Sequence, residues 1–198
     1  DMTEICVRVY EDLENTKQKL LKLGYEFEEF YANHDIYFTA LTKNEVKKVG
    51  YKNLLKKSLI IRNIKGENLD IKNIVYKNKT LDDKGNVISE IKTKIKIDDV
   101  DKAKQVFANI GLNCWCDYVN ENYAFKKGDV SLILQYVKEL GVFLEIEEFK
   151  GMENLKSDEK FGVLKKIAES LELPLGNDFS AKKPYLFLTS DQTISKEK

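Results

Sequence analysis

Glu145 and Glu147 lie two positions apart, so a strand carrying them presents both on one face. Glu4 joins them if its own strand lies alongside. Two or three carboxylates, with water and substrate oxygens, form a set that Mg²⁺ or Mn²⁺ accepts. A solvated strand edge, or glutamates paired to lysines, would show the same spacing. A second set is basic: Arg8, Arg62, Lys77, Lys92, Lys94 and Lys96 all fall in extended stretches. Arg62 interrupts an apolar run of Leu59, Ile60, Ile61 and Ile64. It needs a partner or a wet cavity there, because an unpaired buried charge is costly. Lysines at alternate positions repel one another at close quarters. A polyphosphate would relieve that repulsion, and Arg and Lys suit phosphate by forked and point-charge contacts. Plain water would relieve it too.

Other chemistries find little support. His34 is the only histidine, which excludes a Ser-His-Asp triad and a multi-histidine zinc site. Cys114-Trp115-Cys116 has no partner cysteines and reads as a buried strand. No Walker-type or dinucleotide glycine fingerprint is present. The 10 Tyr and 10 Phe follow apolar periodicity and read as core.

The elements that must position these residues follow from periodicity. Residues 4–10 alternate, with Ile5, Val7 and Val9 on one face and Glu4, Cys6 and Arg8 on the other. Asp12 caps a helix that carries Leu13, Leu20, Leu21 and Leu23 and stops at Gly24. Segments 25–30 and 35–39 read as extended, and 43–57 as a surface excursion or short helix. Strands follow at 58–64, 69–79 and 87–97, the last two flanking a hairpin loop at 82–86. Asp99 opens a helix with Val100, Ala103, Val106, Phe107 and Ile110, ended by Gly111. Further strands are expected at 113–125, 130–137 and 142–149, and a last helix at about 158–171.

The two halves resemble each other. Without a gap, Gly24 matches Gly111, Tyr31 matches Tyr118, Asn33 matches Asn120 and Phe38 matches Phe125. The boundary falls at about 1–86 and 87–198 within a single domain. About eight strands with one charged face allow two solutions. One is an open antiparallel sheet with that face in bulk water. The other is a closed barrel with the charges inside and helices outside.

Composition narrows the function classes. The chain has 198 residues with 33 basic and 33 acidic ones, a formal net charge of zero. That balance argues against non-specific nucleic-acid binding, though not against a local basic pocket. No apolar run approaches the roughly 20 residues of a membrane helix. No basic stretch precedes an apolar one at the N-terminus, so no signal peptide is expected. Three cysteines without a framework favour a reducing, cytoplasmic setting.

Taken together, these residues resemble the CYTH superfamily, which includes class IV adenylate cyclases and thiamine triphosphatases, the triphosphate tunnel enzymes. Its opening Glu-x-Glu-x-Lys strand is matched by Glu4-Ile5-Cys6-Val7-Arg8. Asp35-Ile36-Tyr37-Phe38, Leu59-Ile60-Ile61-Arg62 and Val75-Tyr76-Lys77 resemble later motifs. Leu140-Gly141-Val142-Phe143-Leu144-Glu145-Ile146-Glu147 is the most specific match. Leu171-Glu172-Leu173-Pro174 and Lys183-Pro184-Tyr185 resemble the tail of the cyclase-like branch.

The resemblance implies an α+β fold: an eight-stranded antiparallel β-barrel, the triphosphate tunnel, with helices packed outside. Glu4, Glu145 and Glu147 would hold Mg²⁺ or Mn²⁺, and Arg8, Arg62, Lys77, Lys92 and Lys94 the substrate phosphates. Glu4, Arg8, Arg62 and Lys77 would serve catalysis. The implied substrate is ATP, thiamine triphosphate or tripolyphosphate, with no nucleic acid and no membrane, and a homodimer is allowed. The chemistry is ATP cyclisation to cAMP plus pyrophosphate, or triphosphate hydrolysis. The alternative is a polyphosphate- or nucleotide-binding module without turnover. Departures from the pattern count against ordinary family catalysis and leave divergent chemistry or binding without turnover: Cys6 for a glutamate, Ile60 for an arginine, Asn120 and Asn122 for Lys and Arg, and Gln135 for an aspartate.

Overall fold

The computed structural model describes residues 2–81 and 87–194. The hairpin loop expected at 82–86 lies outside the described residues. The elements in order are β1 (Glu4–Val9), α1 (Leu13–Lys22), β2 (Glu26–Thr39), α2 (Lys43–Val49) and α3 (Tyr51–Lys56). They continue through β3 (Lys57–Gly66), β4 (Leu69–Leu81), β5 (Val87–Lys96), α4 (Val100–Asn109) and β6 (Asn113–Lys127). The chain closes with β7 (Val130–Val137), β8 (Gly141–Glu147), α5 (Ser157–Ser170) and α6 (Lys183–Ile194).

The eight strands form one sheet in the order β1-β8-β7-β6-β2-β3-β4-β5. The ladders β1–β8, β3–β4, β4–β5, β6–β7 and β7–β8 are antiparallel. Among the described residues no ladder joins β1 to β5, so the order is open at both ends. Exchanging β1–β4 with β5–β8 reproduces the same order read backwards. The helices α1 and α4 sit at corresponding places, each capped by an aspartate, Asp12 or Asp99, accepting from the backbone three residues on. Gly24 and Gly111 follow them with φ of 87° and 88°, a left-handed conformation that glycine adopts without a Cβ clash.

The chain groups into two compact units. Among the described residues one spans 32–119 with 187–194 and the other 2–31 with 120–186, so β2 and β6 each contribute to both. In the 2–31/120–186 unit, alternation sends Ile5 and Val7 of β1, Leu132 and Leu134 of β7, and Leu144 and Ile146 of β8 into one core with Leu20, Leu164, Ala168 and Leu171. In the 32–119 unit, Ile36, Phe38, Ile61 and Phe107 form the core, with Phe38 and Phe107 edge-on at 5.0 Å.

Several expectations are revised. The two extended segments after α1 are one 14-residue strand, β2. The 43–57 stretch holds two short helices, the first closed by a Thr42–Glu45 capping box. A helix beyond 171 was not expected, yet α6 begins at Lys183; Pro184 sits in its first turn, where its missing N–H costs nothing. Cys114 is exposed although Cys116 is buried. Not all aromatic residues are core: Tyr10, Phe27 and Phe30 are exposed. No helix among the described residues is long and apolar enough to cross a membrane.

Candidate functional site

Register across β1, β8, β7 and β6 places the polar side chains in rows on the face opposite the core. Glu4 lies opposite Glu147. Cys6 lies opposite Glu145, which faces Ile133 of β7. Arg8 faces Phe143, Phe143 faces Gln135, and Gln135 faces Asn122. The Glu-x-Glu spacing and the β1–β8 pairing therefore bring Glu4, Glu145 and Glu147 together. One carboxylate oxygen from each lies within 4.8 Å of the others. Mg²⁺ holds oxygens at about 2.0–2.1 Å, so opposite ligands stand about 4.2 Å apart, and the three carboxylates are close enough to be candidate ligands of one divalent ion.

Electrostatics on this face follow from burial and like charge. Glu145 is pushed up to about 7, first by burial and then by Glu4 and Glu147, against the pull of Lys183 and a Gln135 hydrogen bond. A cation among the three would remove that repulsion. Tyr31 is pushed up to about 12, by burial and by Glu145, Glu147 and Glu29. Gln135 Nε2 donates to Glu145 Oε2 at 3.1 Å and to Asn122 Oδ1 at 3.2 Å. Asn122 Oδ1 also accepts from Asn120 Nδ2 at 2.7 Å. This amide network occupies the strands where the family resemblance expects two basic residues and an acid. Burial raises the Cys6 thiol.

Arg8 does not reach toward the carboxylates by any hydrogen bond described. Its guanidinium donates to the Leu140 carbonyl and lies over the rings of Phe143 and Tyr10, at 5.5 and 5.9 Å.

The remaining sequence-predicted residues belong to the 32–119 unit. Arg62 makes a fork to Asp35, Nε to Oδ1 at 2.7 Å and Nη2 to Oδ2 at 2.8 Å. Burial opposes its charge, but the paired carboxylate holds the guanidinium above its ordinary value. The partner that Arg62 needs is thus the aspartate of the Asp35-Ile36-Tyr37-Phe38 motif. Tyr37 is raised by burial and then by Asp35, and its ring stacks on Tyr118. Lys77 is drawn down to about 8, by burial and then by Arg62 and Lys92. Lys92 lies directly opposite Lys77 on β5, and Lys79 pairs with Glu90 at 3.7 Å. Lys94 is exposed, opposite Val75. Arg62, Ser58 and Lys77 alternate on one face of β3 and β4, so this face gathers positive charge that burial leaves poorly solvated.

Sequence reasoning missed one cation in the carboxylate unit, Lys183. Its ammonium donates to Gln135 Oε1 and lies 3.6 Å from Cys6 Sγ. The residue was visible only as part of a tail motif; nothing in the local pattern tied it to β1.

No protein-family model matches the chain. It is 27% identical over 189 residues to the "Putative adenylate cyclase" of Methanocaldococcus jannaschii, covering 94% of this chain and 98% of that protein. Among solved structures, the PH1819 protein of Pyrococcus horikoshii matches with a TM-score of 0.68 and 20% identity, over 96% of this chain and 99% of its own. The "Putative adenylyl cyclase HpAC1" of Hippeastrum, whose structure is presented with a dominant triphosphatase activity, matches with a TM-score of 0.62 and 15% identity. That match covers 96% of each chain.

Proposed function

Because the chain is a member of the CYTH-like superfamily, we propose that it binds and processes a small-molecule triphosphate with the help of one divalent cation, Mg²⁺ or Mn²⁺. The observation that carries this reading is the convergence of Glu4, Glu145 and Glu147 from paired strands. The ion, when bound, supplies neutralising charge to phosphoryl oxygens. In this reading Glu4, Glu145 and Glu147 hold it and Gln135 steadies Glu145. The sequence resemblance assigns the phosphates to Arg8, Arg62, Lys77, Lys92 and Lys94. Lys77 is suited to this because an anion would restore the charge that burial and its basic neighbours disfavour. The chemistry is cyclisation of ATP or hydrolysis of ATP, thiamine triphosphate or tripolyphosphate, in a reducing, cytoplasmic setting.

A second reading, binding without turnover, is favoured by Cys6 and Gln135, neutral side chains beside Glu145 where the sequence resemblance expects acids.

The test is direct. Mn²⁺ is titrated calorimetrically into wild type and Glu145→Gln, and the Mn²⁺-loaded wild type is assayed with ATP, thiamine triphosphate and tripolyphosphate. Mn²⁺ binding lost in Glu145→Gln, together with turnover of one triphosphate, is the expected outcome. Binding of a triphosphate without product selects the second reading. Absence of any metal or triphosphate binding would sink both.

A further inference from the structure

Gln135, Asn122 and Asn120 form a chain of neutral amides that leads away from Glu145, and its far end is an acceptor without a donor. Asn120, Asn122 and Gln135 are 6%, 1% and 5% exposed. Asn120 Oδ1 is buried and accepts no hydrogen bond among the described residues. A buried acceptor left in that state costs free energy, and native folds keep few of them.

An amide can be turned end for end, so its orientation is read from its partners. Here the partners leave one arrangement. The Lys183 ammonium, which can only donate, holds Gln135 Oε1. Gln135 Nε2 is thereby turned to Glu145 Oε2 and Asn122 Oδ1, at 3.1 and 3.2 Å. Asn122 Nδ2 donates to two main-chain carbonyls, Asn120 O at 3.1 Å and Tyr31 O at 3.3 Å, which can only accept. Asn122 Oδ1 must therefore receive, and Asn120 Nδ2 donates to it at 2.7 Å. Turning Asn120 over would set two oxygens against each other. The chain thus begins at a fixed ammonium and ends with the oxygen of Asn120 left over.

The chemistry of that oxygen limits what can answer it. An ionised phosphate oxygen only accepts, so it would be repelled. A hydroxyl or an amino group carries the missing proton. In the sheet order β6 lies two strands from β8, about 10 Å away. A ligand whose phosphates lie beside Glu4, Glu145 and Glu147 would therefore meet Asn120 with its other end. We propose that Asn120 is a specificity-determining residue. Its Oδ1 accepts a hydrogen bond from a hydroxyl or amino group on the organic part of a triphosphate ester, so the protein prefers such an ester to inorganic tripolyphosphate. This rests on the metal-dependent triphosphate reading given above and adds the class of substrate.

The experiment is calorimetry on the full chain, loaded with Mn²⁺, at about pH 8, where phosphates with a last pKa of about 6 are ionised. The probes are ATP, thiamine triphosphate and tripolyphosphate, and the variants are Asn120→Leu and Asn120→Ala, each checked by thermal melting. The wild type should bind at least one of the two esters more tightly than tripolyphosphate. The variants should weaken that ester about tenfold, because its donor is then buried without a partner, and leave tripolyphosphate within about twofold. Which ester responds tells whether the donor belongs to a nucleoside or to thiamine. A wild type that binds tripolyphosphate as tightly as both esters would overturn the proposal without recourse to any variant. So would an ester affinity unchanged in a variant that folds, which leaves solvent as the only partner of Asn120. An equal loss for all three probes would overturn it too, making Asn120 a strut of the amide chain. A wild type that takes none of the probes removes the underlying triphosphate reading, whereas one that takes tripolyphosphate alone removes only the role of Asn120.

Discussion

Glu145 is the residue at which burial and neighbouring charge meet most directly. Its ordinary value of 4.5 is raised to about 7 in the fold. A divalent ion must displace the proton that this shift retains, so Mn²⁺ affinity should climb as pH rises through about 7 and level off above it. Calorimetry between pH 5.5 and 8.5 measures this; a flat profile would mean that Glu145 is not a ligand. The Arg62–Asp35 fork makes a different prediction. Asp35→Ala leaves a guanidinium largely buried and unpaired, at a cost of about 3 kcal/mol in urea unfolding. Replacing both, as Asp35→Leu with Arg62→Met, should cost less than the single change. If the double variant is the less stable, the pair itself contributes net stability.

At the scale of elements, the outer edge of β1 is held by residues 174–181. The amides of Cys6, Tyr10, Gly176 and Ala181 should therefore exchange slowly with solvent and lose their protection together when the tail detaches. Hydrogen exchange read residue by residue tests this, and fast exchange at Cys6 with slow exchange elsewhere in β1 would contradict it. The same elements show how much was legible. β1 and β8 were readable because alternation separates Ile5 and Val7 from Glu4, and Leu144 and Ile146 from Glu145 and Glu147. The carboxylate trio was legible for the same reason, given the pairing of the two strands. The need of Arg62 for a partner was readable from its apolar surroundings, but not which acid would answer it. Asp35 is 27 positions away, and only strand placement joins the two. Helix α6 was hidden by Pro184, which reads as a breaker unless it falls in a first turn. Lys183 was hidden because its place depends on the register of a tail that has no strand pattern of its own.

For the molecule as a whole, Glu145 and Lys77 give opposite slopes to stability against pH. Between about 4.5 and about 7 the folded chain holds a proton on Glu145 that the unfolded chain has lost, so stability falls as pH rises. Between about 8 and about 10.5 the unfolded chain holds a proton on Lys77 that the folded chain has lost, so stability rises with pH. These two groups place a minimum between about pH 7 and 8 in the ligand-free protein, where one repelled carboxylate and one poorly solvated ammonium are both charged. In the proposed reading Mn²⁺ relieves the repulsion at Glu145, so the rise in Tm it gives should be larger in that window than near pH 5, where Glu145 keeps its proton. Thermal melts across pH, with and without Mn²⁺, would show it. A uniform rise at every pH would place the ion elsewhere.

The sequence distance spanned by the tail has a consequence for the order of assembly. Cys6 and Lys183 are 177 positions apart, and the hydrogen bonds that join their segments close nearly the whole chain into a loop. Contacts of such separation repay their closure entropy late in folding. On the ribosome β1 emerges long before residues 174–181 exist to cover its edge. Its exposed main-chain groups are then open to pairing with other chains. Glu4, Glu145 and Glu147 can be brought together before residues 174–181 arrive, so β1 keeps an open edge until synthesis reaches that segment.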